Sequence, residues 1–283
     1  MAITSDKILA GVNRRISNPQ SQGLLKNSDI LAFCDQIIQG EVIPLMESVQ
    51  QDFFVERTNI PLVAGQSYYN IPYRAVARGL REIKITDSGE QFMRNLPLID
   101  ISNADMYYQW GTVTGFYFEG DRIKLVPEVP ATLSTDQKLA VWYRLPPNRL
   151  VELNQVSQVV SVAGAVVTVD GIPVGISAGS EVDFIQGKSG NSIYSMDVEV
   201  QSVDAVASTI TFASADDVPS NLQAGDYICL SGESYVLNGI PNEAYPLVET
   251  LTAKRCLQAI SDYEGLKILD IDAEREKTNL KLI

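Results

Sequence analysis

The sequence predicts an α+β protein. N- and C-terminal helices form a helical bundle with an aromatic β region, and a mostly-β domain (a sandwich or small barrel) is inserted between them. Three observations carry this. Apolar residues recur at helical spacing near both ends, the stretch from Phe53 to Arg144 alternates at period two, and residues 151–235 contain a near-repetition. Val160-Ser161-Val162, Val167-Thr168-Val169 and Ala178-Gly179-Ser180-Glu181-Val182-Asp183-Phe184 return as Gln201-Ser202-Val203, Ile210-Thr211-Phe212 and Ala224-Gly225-Asp226-Tyr227-Ile228-Cys229-Leu230. The offset is 41 residues at the Ser-Val pair, 43 at the Thr and 46 at the Ala-Gly. Each copy reads as strand, turn, strand, polar loop and third strand, so two half-buried faces can close on each other. The expected domains are residues 1–150 with 236–283 as one core and 151–235 as an acidic β insert.

Along the chain, Ser5-Asp6 offers a cap for a short helix whose apolar positions are Ile8, Leu9, Val12 and Ile16, stopped by Asn18-Pro19. Residues 19–26 read as a loop or arm. Asn27-Ser28-Asp29 caps the next helix, with Ile30, Phe33, Cys34, Ile37 and Ile38 on one stripe. Pro44 has no N–H for the carbonyl of Gly40, so a kink or break is expected before helical character resumes through Leu45, Met46 and Val49. Strands are expected at Phe53–Arg57, Ser67–Ile71, Glu82–Thr86, Gly115–Glu119, Arg122–Val126 and Leu139–Arg144, with a hairpin turn at Glu119-Gly120-Asp121 and a short helix at Asn103–Trp110. Pro146-Pro147 marks a boundary before the duplicated unit, and Gly239 and Pro241 end that unit. Pro246 suits the first turn of a helix carrying Ala253, Cys256, Leu257, Ile260 and Tyr263, with Gly265 a point of interruption. The mixed-charge stretch Asp272–Ile283 has too few apolar residues to pack alone.

Composition narrows the chemistry. The 283 residues are 45% hydrophobic and 20% charged, as in ordinary globular proteins. There is no run of ~18 apolar residues to cross a bilayer, and the N-terminus lacks a secretory pattern. Three scattered cysteines, Cys34, Cys229 and Cys256, point to reduced, buried thiols made in a cytoplasm. The chain has no histidine, which removes the usual general base and the commonest transition-metal ligand. The net charge is −13, and residues 151–235 hold eleven acidic residues against one basic residue, Lys188. Such a surface repels DNA and anionic lipid, because nucleic-acid binding needs a basic stripe that displaces counterions.

Individual motifs fall short of reactive sites. Gly187-Lys188-Ser189 resembles the end of a phosphate loop, but Val182 stands where the first glycine belongs, and a hairpin loop accounts for it. Asp270, Asp272, Glu274 and Glu276, like Asp216-Asp217, lack the ordered ligands and central glycine of a calcium loop. Cys34 lies on a buried stripe and has no histidine to activate it. The aromatic set Tyr68, Tyr69, Tyr73, Tyr107, Tyr108, Trp110, Tyr117, Trp142 and Tyr143 reads as strand core before it reads as a carbohydrate platform. No catalytic, cofactor-binding or metal-ligating residue is assigned, and the protein is expected not to be an enzyme. A hydrolase using a pair of carboxylates stays open at this point, since their separation is spatial.

Several phrases together resemble a known family. Asp29-Ile30-Leu31 with Asp35, Ile43-Pro44-Leu45-Met46-Glu47-Ser48 and Asp52-Phe53-Phe54-Val55 are followed by Ala64-Gly65-Gln66-Ser67-Tyr68-Tyr69-Asn70-Ile71-Pro72 and Gly79-Leu80-Arg81-Glu82-Ile83. Ile240-Pro241-Asn242-Glu243-Ala244-Tyr245-Pro246 then opens the last helical region. This resembles the head-to-tail adaptor (connector, or neck) proteins of tailed bacteriophages over about two thirds of the chain, leaving 151–235 outside the shared pattern. The resemblance implies a non-enzymatic virion protein, made in the host cytoplasm and placed in the neck. It would form a homo-oligomeric ring that docks the portal through a helical bundle, reaches the portal or a neighbour with a C-terminal arm, meets a downstream tail or nozzle protein, and lines the passage for DNA without binding it tightly. The alternative is a tail, baseplate or host-attachment protein using the β insert as a binding module.

Overall fold

Thr4 opens the first helix in place of the expected Ser5-Asp6. Its Oγ accepts the Lys7 N–H at 3.3 Å, because Ser5 is buried and donates both its N–H and its hydroxyl to the carbonyl of Tyr235. The computed structural model describes residues 2–16, 25–75, 79–87, 89, 91–110, 112–131, 137–188 and 192–281, and it mixes helix and strand. Helix α1 (Ser5–Arg15) buries Ile8, Leu9 and Val12. Of the expected loop at 19–26, positions 19–24 lie outside the described residues. Helix α2 (Asn27–Ile37) starts where the Asp29 carboxylate accepts the Lys26 N–H at 3.1 Å, and it buries Ile30, Leu31, Cys34 and Ile37. The helix does not break at Pro44. Residues 38–42 form a π-turn in which the Ile43 N–H reaches back to Ile38, and the chain continues as α3 (Ile43–Val49) with Pro44 in its first turn. The extra residue of a π-turn absorbs the donor that proline lacks.

Residues 52–146 fold as one compact unit. It contains β1 (Val55–Pro61), β2 (Tyr68–Asn70), β3 (Leu80–Thr86), β4 (Phe92–Asn95), a 3₁₀ helix at Ile101–Trp110, β5 (Gly115–Glu119), β6 (Arg122–Val126) and β7 (Lys138–Arg144). The strands form two antiparallel sheets, β1-β7-β3-β4 and β2-β6-β5. Inward positions of both sheets, among them Tyr69, Ile83, Ile85, Ile123, Leu125, Leu139 and Val141, share one core. β5 and β6 fall at the expected residues. β1 extends to Pro61, a residue tolerated because this is an edge strand. β4, with all four residues exposed, has no apolar alternation that would have betrayed it.

The second compact unit joins Met1–Gln51 to Pro147–Ile283. After β8 (Arg149–Leu150), six strands close an antiparallel barrel: β9 (Ser157–Ala163), β10 (Val166–Val169), β11 (Glu181–Ile185), β12 (Ile193–Asp204), β13 (Thr209–Phe212) and β14 (Tyr227–Leu230), in the order β10-β13-β12-β11-β14-β9. Exchanging β9, β10 and β11 for β12, β13 and β14 leaves that cyclic order unchanged, so the repeat is a pseudo-two-fold. The register agrees at single-residue level. Ser161 pairs Thr168 as Ser202 pairs Thr211, while Val167–Ile210 and Asp183–Cys229 are self-paired across the axis. A two-residue hairpin turn in the first copy and a four-residue turn in the second, Ala205–Ser208, move the offset from 41 to 43. The longer loop before β14 adds the rest. Gly179 and Gly225 occupy equivalent left-handed positions, φ +81° and +94°, and donate their N–H groups to the equivalent carbonyls of Val200 and Val159, which explains the repeated Ala-Gly.

Past β15 (Glu233–Ser234), helix α4 (Tyr245–Ala259) packs against α1, α2 and α5 (Tyr263–Leu280). The interruption falls before Gly265: Ser261 turns at φ +60° and the Asp262 carboxylate accepts the Gly265 N–H at 3.1 Å. The stretch from Asp272, expected to be unable to pack alone, lies as helix against α4 and is not a free arm. It is helical to Leu280, and Leu266, Leu269, Ala273, Glu276 and Leu280 fall at alternating spacings of three and four, with Leu269, Ala273 and Leu280 buried. Within the stretch itself only Ala273 and Leu280 are buried apolar positions, and they suffice because α4 supplies the partner surface. The barrel's foot belongs to the same unit as the helices. Ala2, Val151, Val156, Ile185, Tyr227, Cys229, Tyr235 and Val236 share a core, and the Ala2 N–H donates to the Lys188 carbonyl at 2.9 Å. The compact units therefore divide the chain at residues 51/52 and 146/147, not at the 150/151 and 235/236 boundaries expected of an insert.

Candidate functional site

The motifs singled out in the sequence resolve into structural roles. Gly187 is a close-approach glycine: a Cβ there would stand 1.9 Å from the Gly225 carbonyl oxygen, and its N–H donates to Asp226 at 2.8 Å. Ser189 lies outside the described residues. Asp216 and Asp217 sit in a short 3₁₀ turn in which Asp217 accepts the Ser214 N–H and Ser214 accepts that of Asp216. The acidic series of α5 pairs one by one with cations, Asp270 with Lys254, Asp272 with Arg275, Glu274 with Lys277 and Glu276 with Arg15. Cys34, Cys229 and Cys256 are free and buried, and burial pushes the Cys34 thiol up to about 12 although the Thr252 hydroxyl pulls the other way. Among the described residues no group of three or more His, Cys, Asp or Glu could hold a metal ion, and no helix is long and apolar enough to cross a membrane.

The most constrained polar group is Asp183, on the barrel's pseudo-axis opposite Cys229. It is fully buried and accepts from Asn148 Nδ2 (2.7 Å), the Gly232 N–H (3.1 Å) and the Asp197 N–H (3.0 Å). One carboxylate thus pins the strand entering the barrel, a bulge of β12 where Asp197 has φ +58°, and the turn after β14. Its symmetry mate is a cysteine, so the network marks where the second copy departs from the first. The repeat pattern shows Asp183 aligned with Cys229, yet nothing in the sequence says that its partners lie 35 and 49 residues away.

The helices enclose a second polar group. Arg15 of α1 reaches Glu249 of α4 (3.5 Å) and Glu276 of α5 (4.0 Å), and burial raises the Glu276 carboxyl above its usual range despite Thr250 and Arg15. On α2, Asp35 accepts the Leu150 N–H at 3.0 Å through one oxygen, while its other oxygen is buried without a hydrogen-bond partner. Burial pushes its carboxyl up to about 6, against the Leu150 N–H and the Arg149 guanidinium. Nearby, α2, the π-turn and α3 form one wall of a valley and α4 with the C-terminal end of α5 the other, and Lys277 reaches across it to Glu41 at 3.7 Å. It consists of two adjoining grooves of about 350 and 370 Å³ that share Glu41 and Leu251. Ile37, Pro44, Leu45 and Leu247 give it an apolar floor, and Lys254, Arg255, Lys277 and Lys281 stand on its rim.

In the 52–146 unit the aromatics divide between core and surface. Tyr69, Tyr117 and Tyr143 are buried, and the Tyr69 hydroxyl accepts the Val63 N–H at 3.0 Å. On the outer face of the four-stranded sheet, Phe92 and Trp142 lie 5.6 Å apart, with Lys84 4.6 Å and 5.2 Å from their centres and Arg57 5.8 Å and 5.2 Å away. Both cations thus stand over both rings, while Phe92 stays 60% exposed. This unit has eleven acidic and ten basic residues, so twelve of the thirteen net negative charges belong to the helix-and-barrel unit.

No protein-family model matches the chain, and a search of curated proteins finds no match.

Proposed function

We propose that the protein is a structural component of a tailed-phage virion: a ring-forming adaptor that joins the portal to the tail, with a helical bundle as its docking element, and lines the DNA passage. The observation that carries the reading is the packing of α4 against α1 and α2, which brings the two ends of the chain into one helical layer beside the barrel. The phrases behind the resemblance supply its joints. Asp35 holds the strand that leads to the barrel, Pro44 follows the π-turn and Pro246 opens α4. A strongly acidic barrel suits a conduit, because a basic lining would retain phosphates. Partners on this reading are further copies of the chain, the portal and a downstream tail or nozzle protein, and rings follow from heterologous contacts that close under rotation. The docked α5 helix takes the place of a disordered arm as the C-terminal contact. Native mass spectrometry and negative-stain microscopy of the purified protein, alone and with a portal, test this. A closed oligomer is expected, and a strict monomer that ignores the portal at every concentration overturns it.

A further inference from the structure

The register of the four-stranded sheet gathers charges that are scattered in the sequence. Arg57, Trp142 and Glu82 stand in one row across β1, β7 and β3, and Asn59, Ala140, Lys84 and Asn95 fill the next. Lys138, Thr86 and Phe92 make a third row, and Arg144 opposes Val55 at the other end. Directly opposed residues share a face, and the alternate residues Ile83, Ile85, Leu139 and Val141 point into the core, so these rows form the outer face. It carries four cations, Arg57, Lys84, Lys138 and Arg144, with Glu82 as the acid in those rows. Lys84 already bridges Glu82 at 2.9 Å, which leaves the face with an excess of three positive charges. Phe92, 60% exposed, gives it an apolar centre.

The barrel holds the opposite arrangement. Glu181 of β11 and Glu199 of β12 are directly opposed, and both are exposed. Carboxylates facing each other across a strand pair repel. Among the described residues neither one has an ion-pair partner, and the same two strands also carry Asp183 and Asp197. Residues 151–235 offer no cation to relieve them except Lys188, which lies in the turn after β11. A nucleic acid would satisfy the cationic face, but it would leave the Glu181–Glu199 pair unrelieved and would meet the repulsion of eleven acidic residues in the barrel segment. A second copy of the chain brings what both patches lack.

We propose that the outer face of β1, β7, β3 and β4 in one copy docks on the β11–β12 face of the barrel in the next, its cations meeting Glu181 and Glu199. Complementary charge of this kind fixes the register of a contact and speeds encounter. Because the two faces are different patches, the contact is heterologous and propagates from copy to copy. This rests on the ring reading and specifies its subunit contact.

Two charge-reversed forms of the full chain test it. One carries Lys138→Glu with Arg144→Glu on the sheet, and the other carries Glu181→Lys with Glu199→Lys at exposed positions of the barrel. Each alone is expected to raise the concentration for half-assembly by about tenfold or more in native mass spectrometry, with the melting temperature held. Mixed in equal amounts, the two chains offer matching faces to each other again, so assembly should recover with both masses in the oligomers. Added salt should weaken assembly of the wild type. Reversed chains that assemble normally alone, or two defective chains that do not rescue each other, overturn this contact and leave the adaptor reading standing. Single-stranded DNA bound by the wild type and lost in the first form, while that form assembles normally, would give the sheet face to nucleic acid and also overturn the contact. A wild-type chain that stays monomeric with and without portal overturns both readings.

Discussion

The barrel and the two-sheet unit are both antiparallel β structures, but they handle polarity in opposite ways. The barrel closes on itself and buries a carboxyl group at its pseudo-axis, where Asp183 accepts from three donors. The two-sheet unit keeps edge strands at β1 and β4 and places its charged groups outside, stacked on Phe92 and Trp142. Closure removes strand edges outright, whereas open sheets must blunt them with charge and proline. In the barrel a polar group is thus a fastener whose loss opens the structure, and in the sheets it is a covering whose loss is small.

Asp183→Ala makes the harshest test of that contrast. Three N–H donors lose their acceptor, each lost partner typically costing about 1–3 kcal/mol, so a loss of about 3 kcal/mol or more is expected. Urea unfolding should register that loss, and hydrogen exchange should quicken at the Asp197 and Gly232 amides. Cys229→Ala, at the mate position, removes only a small apolar group and should cost about 1 kcal/mol. Equal losses would mean that the axis is held by packing alone, and the contrast between the two regions would disappear.

Gly187→Ala comes next. The new methyl collides with the Gly225 backbone, which no rotamer change relieves, so a loss of about 2–3 kcal/mol is expected from strain. Thermal unfolding reads it. A neutral result would show that the loops from the two repeats can separate freely, leaving the closure of the barrel less tight than its register implies.

How much of this the sequence carried differs between the regions for the same reason. The barrel repeats itself, so its two three-strand units, and the differences in loop length between them, are readable from offsets of 41, 43 and 46. Its closure and the partners of Asp183 are not, because they depend on contacts between segments far apart in the chain. In the sheets, β5 and β6 were legible from alternation around Gly120, but β4 is an exposed edge without alternation, and β1 is rich in polar residues. The helices were legible as periodic stripes. The C-terminal stretch shows few apolar positions because they need to suffice only beside α4, and the π-turn is hidden in sequence because proline signals a break wherever no extra residue accommodates it. The valley and the Arg15–Glu249–Glu276 group needed helices from both ends of the chain, so no local signal announced them.

The joint between helices and barrel gives a pH-dependent test. The folded Asp35 carboxyl titrates near 6, above its unfolded value of 3.8, so the folded state binds the proton more tightly. Asp35 therefore weakens the fold above about pH 6, and its contribution to stability improves as pH falls from there towards 4. A shift of this size on a half-buried group corresponds to about 1–3 kcal/mol. Asp35→Asn keeps an acceptor for the Leu150 N–H, so it should raise the melting temperature at pH 8 and flatten the slope between pH 4 and 6. A variant that melts lower than wild type at pH 8 would show that the ionised carboxylate is needed, through Arg149, to hold the strand.

The smallest effect is expected on the sheet surface. Phe92 is 60% exposed and sits under Lys84 at 4.6 Å, but Lys84 also bridges Glu82 at 2.9 Å and lies over Trp142. Phe92→Ala should therefore cost only about 0.5–1 kcal/mol, the usual worth of an exposed cation–π pair. A cycle combining it with Lys84→Ala should return a coupling no larger than that, followed by tryptophan fluorescence during urea unfolding. A loss above 2 kcal/mol, or a coupling of that size, would make the outer cluster a fastener like Asp183. The open sheets would then depend on a buried-type network after all, and edge strand β4 would owe its place to Phe92 more than to its pairing with β3.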